Sequence, residues 1–62
     1  MCELTIYDLK GEARKKVMEG VVRVTSHDGK VLLEGIFGDS MEVEGRLSIV
    51  DIMAQEAIIV VP

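Results

Sequence analysis

The stretch VVRVTSHDGKVLLE, residues 21–34, decides the fold of this 62-residue chain. Two runs rich in apolar and β-branched residues flank Asp28-Gly29, and such runs favour β-strands. An Asp-Gly pair between two strands suits a two-residue type I′ turn, in which both central residues have positive φ. The stretch therefore predicts a β-hairpin.

The turn also fixes which residues of the two strands face each other. It places Val24 opposite Leu33 on the buried face and Arg23 opposite Glu34 on the solvent face. A shift of one residue would move every side chain to the other face of the sheet. An apolar pair on one face and a complementary charge pair on the other support this register.

Downstream of the hairpin, apolar and polar residues alternate from Met41 to Ile49, which predicts one long strand. The apolar faces of this strand and of the second hairpin strand both point inward if the loop between the two strands has an odd length or contains a bulge. Gly38 can adopt the left-handed conformation that such a loop needs. Gly45 interrupts the long strand and permits the bend that a small barrel needs to close.

Upstream of the hairpin, residues 2–8 alternate and predict the first strand. Lys10-Gly11 indicates a turn, after which residues 13–17 return as a short, charged strand at a sheet edge. The basic cluster at residues 14–16, Arg-Lys-Lys, is interpreted as the solvated face of this edge strand. A small anion-binding patch is the alternative.

The last segment, Ala57 to Val61, is apolar at every position, so both of its faces should be covered. One face can join the core, and a second subunit would best cover the other, because a monomer would leave it in water. Residues 50–56 are compatible with a short helical turn, but six strands are preferred. The predicted fold is therefore a single all-β domain over residues 1–62, a small barrel of five to six strands that forms a homodimer.

Composition limits the function. A chain of 62 residues has a marginal core, and one cysteine excludes an intramolecular disulfide, which leaves a metal or self-association as stabiliser. The net charge of −4 disfavours phosphate backbones as partners.

The start of the chain lacks a signal-peptide pattern, and no apolar run reaches the roughly 20 residues that span a bilayer. We expect a cytoplasmic protein that does not contact membranes.

The sequence offers little for catalysis, because it has one cysteine, one histidine and no glycine-rich phosphate loop. Cys2 and His27 are the single nucleophile and base pair to consider. His27, however, adjoins the exposed hairpin turn and is interpreted as a solvated residue. The sequence therefore predicts that the protein is not an enzyme.

Cys2 occupies a chemically special position. A small second residue usually allows removal of Met1, which leaves the thiolate and the α-amino nitrogen of Cys2 free to chelate an ion together. With the backbone nitrogen of Glu3, these donors suit square-planar Ni(II) or Cu(II), and two copies at a dimer interface would supply two thiolates. The alternative is a small apolar cysteine on the inward face, beside Leu4 and Ile6.

Four short features, taken together in order and spacing, resemble the CooT family of nickel-binding proteins. They are Met1-Cys2, residues 21–24, Ile36-Phe37-Gly38-Asp39 and residues 43–47, so the resemblance covers essentially the whole chain. It implies a homodimer of small Sm-like or SH3-like barrels that binds one Ni(II) at the dimer interface through Cys2. The sequence departs from the pattern at residues 54–56, Ala-Gln-Glu, where an assisting histidine is expected.

The resemblance also implies a role in nickel delivery during maturation of carbon monoxide dehydrogenase, which would make a nickel-dependent client enzyme a partner. Other members carry the label predicted RNA-binding protein, so a small-barrel RNA-binding module is the alternative function. The chain has two aromatic residues and a negative net charge, and both features argue against RNA binding by base stacking in a basic groove. An interaction protein that uses its apolar last strand is a third possibility.

Overall fold

A computed structural model describes residues 3–62 as six strands in one sheet. The strands, in chain order, are β1 (Leu4–Lys10), β2 (Ala13–His27), β3 (Lys30–Gly35), β4 (Ser40–Glu44), β5 (Arg46–Asp51) and β6 (Glu56–Val60). Their order across the sheet is β4-β3-β2-β1-β6-β5. All neighbours are antiparallel except β1 and β6, which are parallel. The all-β prediction is confirmed.

The hairpin between β2 and β3 has the predicted register. Val24 lies opposite Leu33, and Arg23 lies opposite Glu34. The turn residues Asp28-Gly29 have φ angles of 49° and 74°, as a type I′ turn requires. Leu33 is fully buried, whereas the Arg23 Nε atom lies 3.6 Å from Glu34 Oε2 on the solvent side.

Strand β2 is a single bent element of 15 residues, so the separate short strand predicted over residues 13–17 is wrong. Its first half pairs with β1 and its second half with β3. The change of partner occurs at Val21, which lies opposite Leu4 in β1 and Gly35 in β3. Gly20, with a φ of 70°, interrupts the alternation just before this point and makes one strand resemble two in the sequence.

The predicted long strand over residues 41–49 is divided at Gly45 into β4 and β5. The two halves pair with different strands, β4 with β3 and β5 with β6. Gly45 has a φ of 147°, and a Cβ atom at this position would lie 2.5 Å from the Val60 carbonyl oxygen. Its N–H donates to the Gly29 carbonyl oxygen over 2.8 Å. A residue with a side chain does not fit this bend.

Over residues 3–62 the sheet is not closed into a barrel, which corrects the predicted Sm-like or SH3-like closure. The two edge strands, β4 and β5, are consecutive segments joined through Gly45 alone. Two such segments cannot run side by side without a reversal of the chain. The bend therefore directs β5 toward β6. The two edge strands of the sheet, β4 and β5, are joined only at Gly45.

The core is aliphatic. Fully buried side chains come from β1, β2, β3 and β6, and they are Ile6, Val21, Val31, Leu33, Ala57 and Ile59. The predicted first strand is displaced by two residues, to Leu4–Lys10, with Ile6 buried and Leu4 half-buried. The predicted inward position of Cys2 lies outside the described residues.

Strand β6 has both faces covered within one chain. Ala57 and Ile59 are fully buried, and Ile58 is 9% exposed. Because these three side chains are already shielded within one chain, the expectation that a second subunit covers one face of this strand is wrong. The homodimer itself stays a prediction, and it needs a different surface.

We predict that Gly45→Ala lowers the free energy of unfolding by about 3 kcal/mol, since it adds backbone strain to a clash with the Val60 carbonyl. Gly11→Ala is the matched control, because Gly11 has a φ of 62° and a Cβ atom there would have no neighbour within 4 Å. Strain alone should then cost about 1 kcal/mol. Urea unfolding of both variants measures the difference, and equal losses would contradict the packing role of Gly45.

We predict that Ile58→Ala costs about 2–5 kcal/mol, as for other buried aliphatic truncations. Ile49→Ala, at a position 55% exposed in the adjacent β5, should cost much less. The loss for Ile58→Ala should be independent of protein concentration, because the same chain covers this side chain. A loss that disappears on dilution would instead show that a second subunit covers it.

Candidate functional site

The start of the chain emerges between the bend of β2 and the turn before β6. Leu4 lies opposite Val21, and the Thr5 N–H donates to the Gln55 carbonyl oxygen over 2.9 Å. These contacts fix the direction from which the chain enters β1. Glu3, whose backbone nitrogen is a predicted metal donor, is exposed there. Cys2, the predicted thiolate ligand, lies outside the described residues.

An open cleft of about 680 Å³ adjoins this point. Its lining comes from the chain start, the β2 bend, the β3–β4 loop and the turn before β6, and consists of Glu3, Thr5, Glu19, Gly20, Phe37, Asp39, Ala54 and Gln55. Three of these side chains are carboxylates. A cleft lined by one sign of charge raises the local concentration of the opposite ions. The chain start therefore lies beside a surface that attracts cations.

The loop over residues 36–39 is held in place by backbone hydrogen bonds. The Gly35 N–H donates to the Asp39 carbonyl over 2.8 Å, and the Ile36 N–H donates to the Gly20 carbonyl over 2.9 Å. Gly38, with a φ of 87°, adopts the left-handed conformation predicted for this loop. The loop thus presents Phe37 to solvent at 93% exposure in a defined position.

The turn over residues 52–55 forms the opposite side of the cleft. The Ala54 N–H donates to Asp51 Oδ1 over 3.0 Å, and the Gln55 N–H donates to the Ile52 carbonyl over 3.2 Å. Gln55 has a φ of 56°, which lets the chain reverse into β6. Met53, at the tip of this turn, is 96% exposed.

Glu19 keeps its negative charge beside the cleft. Lys16 Nζ lies 2.9 Å from Glu19 Oε2, and this hydrogen bond, followed by the lysine charge, holds the pKa of Glu19 below its usual value. The same hydrogen bond and the glutamate charge raise the pKa of Lys16. Glu19 is therefore ionised at neutral pH.

The basic cluster at residues 14–16 is paired with carboxylates. Besides the Lys16 pair, Arg14 lies 3.0 Å from Glu56, and Lys15 lies 3.9 Å from Asp8. The Arg14 guanidinium also sits 4.1 Å from the centroid of the Tyr7 ring. These contacts favour the interpretation as a solvated strand face over the anion-binding patch.

His27 lies away from the chain start. Its Nε2 atom is 3.1 Å from Asp28 Oδ2, and both side chains are exposed at the hairpin turn. His27 lies six positions after Val21 along β2, which is roughly 20 Å of extended chain. This placement fits the interpretation of His27 as a solvated turn residue and does not favour a Cys2–His27 pair.

Residues 3–62 contain no group of three or more His, Cys, Asp or Glu side chains arranged to hold a metal ion. Sequence reasoning missed that Glu19, Phe37 and Asp39 border the chain start. The motif over residues 36–39 is visible in the sequence, but no local signal connects it to the first residues of the chain.

Comparison with known proteins agrees with this fold. The structure matches a crystal structure of a protein assigned as CooT from Carboxydothermus hydrogenoformans, with a TM-score of 0.87 and 18% sequence identity over 98% of each chain. At this identity the likeness concerns the fold. No curated protein matches in a sequence search. Among the described residues, no helix is long and apolar enough to cross a membrane.

The family assignment comes from the sequence. The family model for the CO dehydrogenase accessory protein CooT matches residues 1–60, nearly the whole chain. Proteins of this family assist CO dehydrogenase and are not enzymes themselves, which confirms both the resemblance and the prediction that the chain is not an enzyme. The chain therefore belongs to the CooT family of CO dehydrogenase accessory proteins.

Proposed function

We propose that this protein binds Ni(II) as cargo through Cys2, at a site shared by two copies, and delivers it during maturation of CO dehydrogenase. One observation carries the proposal: Glu3, the residue that follows Cys2, lines an open cleft together with the carboxylates of Glu19 and Asp39. Family membership supports the accessory role in CO dehydrogenase maturation. The cytoplasm is the compartment in which a single thiol stays reduced.

The donor chemistry at the chain start fits nickel. With Met1 removed, the thiolate and the α-amino nitrogen of Cys2 close a five-membered chelate ring, and the Glu3 backbone nitrogen adjoins it. Nitrogen and thiolate donors suit Ni(II) in square-planar geometry. Two thiolates, one from each copy, complete a site that neither chain completes alone. Binding then requires loss of the thiol protons, as for other thiolate ligands.

The surroundings of the chain start suit transfer of an ion rather than its permanent storage. Glu3, Glu19 and Asp39 line the cleft and supply negative potential. The cleft is open to solvent, and Glu3 is exposed. A client protein can therefore approach the ion from the side of the cleft, and the carboxylates attract the cation without having to coordinate it.

The structure gives no specific support to the alternative, an RNA-binding module. Single-stranded RNA is bound by basic grooves and by aromatic side chains on which bases stack. Here the cations of residues 14–16 are paired with carboxylates, and Arg14 covers the Tyr7 ring. Phe37 is exposed, but it lines an acidic cleft.

We predict that Ni(II) saturates the protein, with Met1 confirmed absent by mass, at one ion per dimer and with thiolate-to-nickel absorbance. Cys2→Ser should abolish the absorbance, and His27→Ala should leave it unchanged. The histidine variant is the matched control, since His27 is the single histidine and a common adventitious nickel ligand. Equal binding by the Cys2→Ser protein would refute the proposed site.

A further inference from the structure

Strand β5 forms one edge of the sheet, and within residues 3–62 no strand pairs with its outer side. The backbone N–H and C=O groups of such an edge are a template for another extended chain. Ile49 and Val50 are 55% and 47% exposed, and Ile52, which follows the strand, is 60% exposed. Because successive side chains of a strand point to opposite faces, Ile49 and Val50 present apolar surface on both faces of this edge.

The opposite edge of the same sheet is protected. In β4, the exposed residues Glu42 and Glu44 alternate with Met41 and the half-buried Val43. Charged side chains on an edge strand discourage another strand from pairing with it. In β5, the residues between the two ends of the strand, 47–50, are Leu-Ser-Ile-Val and carry no charge. Of the two edges, β5 is therefore the one that suits a partner strand.

A bulge in β5 argues against a second copy of this chain as the occupant of the edge. Leu47 lies opposite Ile59 and Ile49 lies opposite Ile58, so Ser48 is an extra residue in β5. If two copies of β5 paired about a two-fold axis through their centres, each Ser48 would lie next to the axis. The ladder of hydrogen bonds would then be interrupted at its centre, because a bulge disrupts pairing locally. A segment of a different protein is not restricted by this symmetry.

Arg46 indicates the charge of the occupant. Arg46 and Ile49 lie opposite Val60 and Ile58 of β6, so both side chains are on the same face of the sheet. Arg46 is exposed, and none of the ion pairs within residues 3–62 includes it. A carboxylate of the occupant can therefore pair with Arg46 while a neighbouring apolar side chain covers Ile49.

We propose that CO dehydrogenase docks on β5 by adding an extended segment to this open edge of the sheet. The segment is apolar where it passes Ile49 and Val50, and it carries a carboxylate where it passes Arg46. In such strand addition, main-chain hydrogen bonds supply affinity and side-chain contacts supply specificity. The choice of partner rests on the proposed role in CO dehydrogenase maturation, whereas the docking mode does not depend on the nickel site.

The position of β5 suits delivery of an ion. The strand ends at Asp51, and the turn that follows it supplies Ala54 and Gln55 to the lining of the cleft. A partner segment aligned along β5 would therefore lie next to the cleft that Glu3 also lines.

The test is hydrogen–deuterium exchange of the protein, free and mixed with purified nickel-free CO dehydrogenase, together with the dissociation constant of this pair. The variants are Ile49→Lys, which places a charge on the open edge, and Arg46→Glu, which reverses the charge of the proposed contact. Met41→Lys is the matched control, because Met41 is an apolar residue of the other edge strand and is 42% exposed. Thermal unfolding checks that each variant is folded.

We expect CO dehydrogenase to slow exchange at the amides of residues 47–51 and not at those of residues 40–44. Ile49→Lys and Arg46→Glu should each weaken binding at least about tenfold, and Met41→Lys should leave it unchanged. Protection outside β5, equal losses for Ile49→Lys and Met41→Lys, or a parent protein that does not bind would overturn the inference. So would β5 amides that are protected in the free protein and lose this protection on dilution, because a second copy would then occupy the edge.

The docking proposal and the nickel proposal fail in different ways. If CO dehydrogenase protects β5 but no thiolate-to-nickel absorbance is found, the docking edge is supported and the nickel function is refuted. If nickel binds through Cys2 while Ile49→Lys binds CO dehydrogenase as tightly as the parent protein, the nickel function stands and the docking edge is refuted.

Discussion

The bend at Gly45 is the constraint on which the rest of the sheet depends. A single run of residues, 40–51, has to provide a partner for β3 with its first half and a partner for β6 with its second half. This is possible because Gly45 combines a φ of 147° with contact against the Val60 carbonyl, where no side chain fits. One continuous run of residues thus supplies two strands, β4 and β5, without a connecting loop.

The position of the chain start follows from this bend. Because β5 is directed to β6, the turn at residues 52–55 returns the chain beside β1, and Gln55 accepts a hydrogen bond from Thr5. The parallel pairing with β1 then places β6, the most apolar strand, inside the sheet, where Ala57 and Ile59 are fully buried. Glu3 consequently lies at the cleft, between this turn and the bend of β2.

The sequence predicted features that depend on local chemistry. Asp28-Gly29 fixed the hairpin and its register, and Gly38 was identified as the left-handed residue of its loop. The sequence did not predict that β6 would lie parallel to β1, because these strands are far apart in the chain and no local turn signal indicates that they pair. For the same reason, the meeting of Glu19, Phe37 and Asp39 beside Glu3 was not predicted. Barrel closure was expected from the bend at Gly45 and from the family resemblance, whereas the bend directs the two edge strands to different partners.

Chain length explains why the proposed chemistry belongs at the N-terminus. The fully buried positions, among them Ile6, Leu33 and Ile59, are all aliphatic, and a polar ligand placed there would carry the cost of an unpaired buried group. A core this small has no spare position for such a group. The terminal amine and an adjacent thiolate replace no core residue, because they precede the first strand. For the proposed function, Glu3 is exposed beside the open cleft, so the arrangement that spares the core would also let a client reach the ion.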